Sequence, residues 1–311
     1  MINGKLEAGV VLKEALISGI KLLKSAGIEA PALEAGVILC HVLGCEKTYL
    51  YSHDDYKLNN DEYEYLIKCI NDRANGKPLQ YITGHQEFMS LDFKVTPDVL
   101  IPRHDTEVLV EAVIDYVKEA GLKKVNILDI GTGSGCIAVS LARYIKDSRV
   151  FAVDVSKGAL KVARLNAKNL GVLERITFVR GNVFDGLNQI KAEDAIESGR
   201  VDSPHRKSKI FFDVIVSNPP YIPSHDIHTL DVQVKDYEPL SALNGGEDGL
   251  DFYRFIIKEA ANKLKPHGLL GFEVGYGQAA DVLDLMKSEF ERIKIVKDLA
   301  QVDRVVMGNL R

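Results

Sequence analysis

Four consecutive residues, Asn218-Pro219-Pro220-Tyr221, carry the most pointed chemistry in this chain. Consecutive prolines fix φ and remove two backbone donors, so the carbonyls beside them are not consumed by a helix. Asn218 adds a side-chain carbonyl acceptor and Tyr221 a flat aromatic face. Together they make a rigid cradle for a planar NH2 group: two acceptors take its hydrogens and an aromatic surface supports its plane. A second constellation is Gly131-Thr132-Gly133-Ser134-Gly135, directly after Leu128-Asp129-Ile130. Glycines at such a turn permit positive φ and close approach of backbone to a ligand. The spacing is GxGxG. A dinucleotide fingerprint would place its third glycine at position 136, which is Cys136, and this weakens a nicotinamide reading. Asp154 ends the next expected strand, where a carboxylate can accept hydrogen bonds from both ribose hydroxyls of an adenosine-containing ligand. Asn182-Val183-Phe184 follows the strand after that, where a side chain can meet the adenine edge and flank its ring. A tight turn, a helix-capping Asp and a Pro-Pro turn are the plainer readings. Their joint occurrence favours a nucleoside cofactor in the crevice at the carboxyl ends of the strands.

The elements that must position these residues are legible as an alternation. Apolar runs at 125–130, 149–153, 176–179, 211–216 and 269–274 read as strands, and 293–296 and 305–307 offer two more. Between them, 137–144, 157–169 and 251 to about 264 read as helices. Such alternation predicts an α/β fold: a doubly wound, mostly parallel seven-stranded sheet, with helices on both faces. Ahead of it, Leu12, Leu16, Ile20 and Leu23 fall on one helical face, 31–43 opens with Pro31 at a first turn, and Tyr63, Leu66, Ile67 and Ile70 repeat the spacing. The expected division is a helical bundle over 1–76, a hairpin or linker over 77–103 and a catalytic domain over 104–311. The bundle is a packing cap or a substrate-recognition module, and the sequence leaves both open. Asp105 is a candidate N-cap for a helix running to about Val117. The polar stretch 186–210 is too hydrophilic to bury and reads as a surface insertion.

Composition narrows the class. Hydrophobic residues at 46% and charged residues at 27% are ordinary for a globular protein, and no apolar run approaches the ~18 residues of a membrane span. The first residues carry no basic cluster followed by an apolar core, so the expected location is cytoplasmic. Cys40, Cys45, Cys69 and Cys136 show no CxxC pairing and no histidines at zinc spacing; they read as reduced, mostly buried thiols, with no metal site expected. The net charge of −5 argues against a large duplex footprint, so no stable nucleic-acid complex is expected.

The glycine loop, Asp154 and the 218–221 cradle resemble the class I S-adenosylmethionine methyltransferases that act on amino groups. Three further stretches are more specific: Gly84-His85-Gln86-Glu87-Phe88, Ile101-Pro102-Arg103-His104-Asp105-Thr106-Glu107, and Tyr237-Glu238-Pro239 with Ala242-Leu243-Asn244-Gly245-Gly246-Glu247-Asp248-Gly249-Leu250. These are similar to the HemK/PrmC family, the peptide chain release factor N5-glutamine methyltransferases, over nearly the whole chain. The resemblance implies S-adenosyl-L-methionine as cofactor and the glutamine of the GGQ motif of class 1 release factors as substrate. It implies that the glycine loop holds the methionine end, Asp154 the ribose, and Val183 the adenine side. Asn218 with the backbone of Pro219 would grip the glutamine amide. Two features depart from the family's pattern: His104 stands where a second proline is usual, and reads as solvent-facing, and the 186–210 segment is longer than expected. The alternative is a DNA adenine N6 methyltransferase, because adenine also presents a planar NH2; it would have to flip its base.

Overall fold

The structure, a computed structural model, describes residues 9–185, 187 and 210–311. The expected insertion, apart from its residues 187 and 210, lies outside the described residues. The chain divides into two compact units: Met1–His85, of which 9–85 are described, with Asp231–Tyr237; and Gln86–Leu230 with Glu238–Arg311. The 77–103 stretch therefore belongs partly to each unit and forms no separate linker.

The first unit holds helices α1 (Leu12–Ser25), α2 (Pro31–Leu43), α3 (Lys47–Ser52), α4 (Asn60–Ala74) and α5 (Leu79–Thr83). Pro31 opens α2, and Gly44 in the left-handed region (φ +60°) closes it. A capping box starts α4: Asn59 Oδ1 accepts from the Glu62 amide and Glu62 Oε2 from the Asn59 amide, both at 2.9 Å. The buried line of α1 is Leu12, Ala15, Gly19 and Leu23, not the expected Leu12, Leu16, Ile20 and Leu23; Leu16 and Ile20 are only half-buried. Small residues explain the rotation, because a Cβ at Gly19 would sit 3.2 Å from Ile70 Cδ1 on α4. Burying Ala and Gly there lets the two helices approach more closely than leucines would allow.

Strands β1 (His85–Phe88), which begins at the last residue of the first unit's main segment, and β2 (Leu91–Lys94) turn through Met89 and Ser90 at φ +51° and +57°. Both residues in the left-handed region match the right-handed twist of a two-residue hairpin. A 3-10 turn at His104–Thr106 leads into α6 (Glu107–Glu119). Asp105 does not cap this helix. No side chain caps it, and the Asp105 carboxylate instead pairs with Arg304 at 2.9 Å.

Strands β3 (Val125–Ile130), β4 (Ser148–Asp154), β5 (Ile176–Arg180), β6 (Phe212–Ser217), β7 (Leu264–Glu273), β8 (Phe290–Lys297) and β9 (Asp303–Leu310) form one sheet in the order β5-β4-β3-β6-β7-β9-β8. Neighbours from β5 through β7 are parallel, and β9 runs antiparallel to β7 and β8. Helices α7 (Cys136–Tyr144) and α8 (Lys157–Asn169) connect β3 to β4 and β4 to β5. Alternate residues of the central strand serve opposite cores: Val125 and Ile127 join Leu109, Val113 and Val139, while Leu128 and Ile130 join Phe151, Phe212 and Ile256. That two-sided burial is why these strands read as continuous apolar runs. The helix expected to reach Leu264 stops at Ala260, and Leu264 already pairs with Phe212 in β7. Lys265-Pro266-His267-Gly268 makes a bulge there, since proline cannot donate to the ladder, and pairing resumes at Leu269. Chain order reverses between β3 and β6, which leaves a crevice at their carboxyl ends.

Candidate active site

The first wall of that crevice is the turn from β3 to α7. Gly131, Gly133 and Gly135 all hold positive φ, at +73°, +54° and +82°. Nothing lies within 4 Å of where a Gly131 Cβ would be, and only the Gly131 carbonyl, at 3.9 Å, near that of Gly133. Gly135 differs: its Cβ would press to 3.0 Å of Ala163 Cβ, so it serves the packing of α7 on α8. Thr132 faces inward, donating from Oγ1 to Asp129 Oδ2 at 2.6 Å. Asp129 is fully buried, and that burial pushes its carboxyl up to about 7 against the opposing hydrogen bonds from Thr132 and the Ala138 amide. Ser134 is buried too, and its carbonyl accepts from Asn166 Nδ2 at 2.9 Å.

Asp154, the last residue of β4, faces this turn. Its Oδ2 accepts from the Gly133 amide at 2.9 Å and its Oδ1 from the Ser156 amide at 2.8 Å. Two backbone donors thus fix the carboxylate while each oxygen keeps a lone pair for a further donor. Beyond β5, Asn182 and Val183 line the same cleft, and Val183 is held at φ +48°. A β-branched residue rarely adopts that conformation, so its placement is imposed by the surrounding structure.

The second wall is delivered by β6. Ser217 Oγ donates to the Ile130 carbonyl at 2.8 Å, tying the two strand ends together. Asn218 follows, with Nδ2 donating to Thr106 Oγ1 at 3.2 Å. Pro219 and Pro220 line the cleft beside it. Tyr221 does not. It packs half-buried against the core, its carbonyl accepts from Gln278 Nε2 at 3.0 Å, and burial pushes its phenol up to about 12. The glycine-rich stretch after Asn244 clamps this turn. Ile222 and Asn244 form a parallel bridge, and a Cβ on Gly245 would lie 2.7 Å from Tyr221 Cα and 2.8 Å from the Pro220 carbonyl.

Gly131, Gly133, Asp154, Asn182, Val183, Asn218, Pro219 and Pro220 therefore meet in one cleft of about 530 Å³, the size of a small-molecule site. Thr132, Ser134, Gly135 and Tyr221 stand behind it as support. Val99, Leu100, Phe252, Ile256 and Pro239 to Ala242 also line it, and sequence reasoning gave them no site role. Apart from the Ser241 hydroxyl their side chains are apolar, and their only signal is a place within or near the 101–107 and 237–250 stretches. Among the described lining residues the charged groups are Asp98 and Asp154, with no Lys or Arg. His104 is exposed and lies 3.3 Å from Glu107 Oε1. Of the cysteines, all of them free thiols, Cys69 is buried and Cys40, Cys45 and Cys136 are only part-buried, fewer than expected. No helix among the described residues is long and apolar enough to cross a membrane.

Comparison with known proteins adds two matches to family models: "PrmC N-terminal domain" over residues 14–84 and "Methyltransferase domain" over 127–200. The release factor glutamine methyltransferase of Clostridium acetobutylicum is 39% identical, over 96% of this chain and 98% of its own. That of Geobacter sulfurreducens is 41% identical over 93% of each. A solved structure from Alicyclobacillus acidocaldarius, a release factor-specific protein-(glutamine-N5) methyltransferase, is 33% identical over 70% of this chain and 99% of its own, with a TM-score of 0.40.

Proposed function

The chain belongs to the release factor glutamine methyltransferases, and on that premise we propose that it transfers a methyl group from S-adenosylmethionine to the side-chain amide nitrogen of the GGQ glutamine in class 1 release factors. The observation that carries this reading is the meeting of Gly131, Gly133, Asp154 and Asn218-Pro219 in one cleft. The residues present fit the cofactor. Open space at Gly131 and Gly133 lets backbone approach it, and the anchored Asp154 carboxylate suits ribose hydroxyls. A lining that carries carboxylates and no cation suits a positively charged sulfonium better than a pyrophosphate.

When bound, the cofactor supplies an electrophilic methyl group on sulfur. The chain's own task is to make a poor nucleophile attack it, because an amide lone pair is delocalised into its carbonyl. Asn218 Oδ1 and the Pro219 carbonyl can each accept one N–H of the substrate amide. Holding both hydrogens fixes the amide plane and favours charge on nitrogen. Positioning of two bound reactants supplies on the order of 7–11 kcal/mol in the best cases. The acceptors pair more strongly as positive charge develops, an electrostatic contribution present mainly in the transition state. No strong base is required, since a methylated amide nitrogen is acidic and its proton can leave afterwards.

Asn218→Ala should leave cofactor affinity nearly intact and reduce kcat by about 10²-fold or more, as for loss of one preorganised polar group at a reacting centre. Turnover and calorimetric affinity measured on the same preparation check this. Near-normal turnover would remove Asn218 from the reaction. The DNA adenine alternative is not favoured, because relatives covering nearly the whole chain are release factor enzymes.

A further inference from the structure

Thr106 and Glu273 stand immediately behind Asn218, and nothing in the reaction described above uses them. Ser217 pairs with Phe272 in the β6–β7 register, so Asn218 and Glu273 leave adjacent strand ends side by side. Both supporting residues are buried, each with 2% of its surface exposed. Asn218 Nδ2 donates to Thr106 Oγ1. A hydroxyl that accepts still has one hydrogen to give, and the buried Glu273 carboxyl, whose ionised form Thr106 and Asn218 both favour against its burial, is the acceptor at hand. Only one carboxyl oxygen takes part, because Glu273 Oε2 has no hydrogen-bond partner among the described residues. That accepting oxygen works whether the group is ionised or carries a proton on Oε2.

The direction of every bond is therefore set from the buried end outward. Glu273 accepts, Thr106 must donate to it, and Asn218 must turn its NH2 inward. An asparagine amide is nearly symmetric in shape, and its two orientations differ only in the bonds they make. With Nδ2 turned inward to Thr106, Oδ1 is the end left for the cleft. The 3-10 turn that carries Thr106 is itself held, through Asp105, by Arg304 on β9, whose Nε also donates to Asp298 Oδ2 at 2.9 Å.

We infer that Glu273 and Thr106 are positioning residues that lock the Asn218 amide with its oxygen toward the substrate. This rests on the proposed role of Asn218. It gives a purpose to Thr106 in the Asp105-Thr106-Glu107 stretch and to a carboxyl buried far from solvent.

The test is a double-mutant cycle on the full chain: Thr106→Val and Thr106→Ser, each alone and with Asn218→Ala. Turnover on a GGQ-containing release factor, cofactor affinity and melting temperature are read for each. Thr106→Val keeps shape and burial but loses the hydroxyl, and its kcat should fall about tenfold or more with cofactor affinity unchanged. Thr106→Ser should recover most of that loss. Combined with Asn218→Ala, Thr106→Val should add no further loss, because it acts only through Asn218. Heavy loss in Asn218→Ala beside wild-type turnover in Thr106→Val overturns the inference alone. So does an undiminished Thr106→Val effect in the Asn218→Ala background. Normal turnover in Asn218→Ala takes down the proposed function together with this inference. If Thr106→Val fails to fold, Glu273→Gln carries the same test. Glutamine can donate as well as accept, so the direction is no longer set and kcat should fall at unchanged affinity; wild-type kcat there overturns the inference.

Discussion

Asp154 has a structural role that the fold shows and a ligand role that we propose. Its oxygens hold the Gly133 and Ser156 amides, so the carboxylate is oriented by the fold before any cofactor arrives. Asp154→Ala should weaken S-adenosylmethionine binding by the worth of one or two hydrogen bonds to a charged group, roughly 1.5–3 kcal/mol each at most. Part of that loss is indirect, because the Gly133 amide loses its partner and the glycine turn relaxes. Calorimetric titration of the variant measures it, and unchanged affinity would remove Asp154 from the ribose contact. Residue type singles out this position in the sequence, as it does Asn218, and the fold brings the two to one cleft. Thr132 and Ser134 sit between glycines, so the sequence alone groups them with the expected ligand contacts. Spacing along a turn does not say which side chains point inward, and a buried acceptor, Asp129, claims the Thr132 hydroxyl.

Strands and helices were legible where one physical signal dominated. Two-sided burial made β3, β4 and β6 read as apolar runs, and Pro31 marked a helix start. The readings that shifted were those where a tertiary contact competes with a local one. Arg304 takes Asp105 from its expected cap, Gly19 rotates the buried line of α1, and strand pairing at Leu264 takes the place of the expected helix end. The clamp on the Pro219-Pro220 turn was not legible at all, since it depends on backbone approaching backbone. That clamp yields its own prediction. Gly245→Ala would drive a Cβ against the Tyr221 and Pro220 backbone at under 3 Å, and backbone cannot move aside cheaply. Overpacking of this kind costs about 1–3 kcal/mol of stability. Because the displaced segment carries the proposed substrate acceptors, kcat should fall more than cofactor affinity, about tenfold or more. Thermal melts with paired kinetic and binding measurements would show this. A variant with wild-type kcat and melting temperature would mean the turn is not held by this contact.

At the scale of the whole chain, the family resemblance extends from the helical unit through the sheet. The helical unit shows the limit of a burial pattern: periodicity marks α1 and α4 as amphipathic and says nothing about what their outer faces meet. The central claim concerns one atom, the side-chain nitrogen of a particular glutamine, and one measurement addresses it directly. Purified protein is incubated with S-adenosylmethionine labelled in its methyl group and a release factor containing GGQ, beside the same factor carrying GGA and beside duplex DNA. Label should enter the GGQ factor alone, and mass analysis should place the added methyl on the glutamine side chain. Equal labelling of the GGA factor, or transfer to DNA adenine in place of protein, would contradict the assignment.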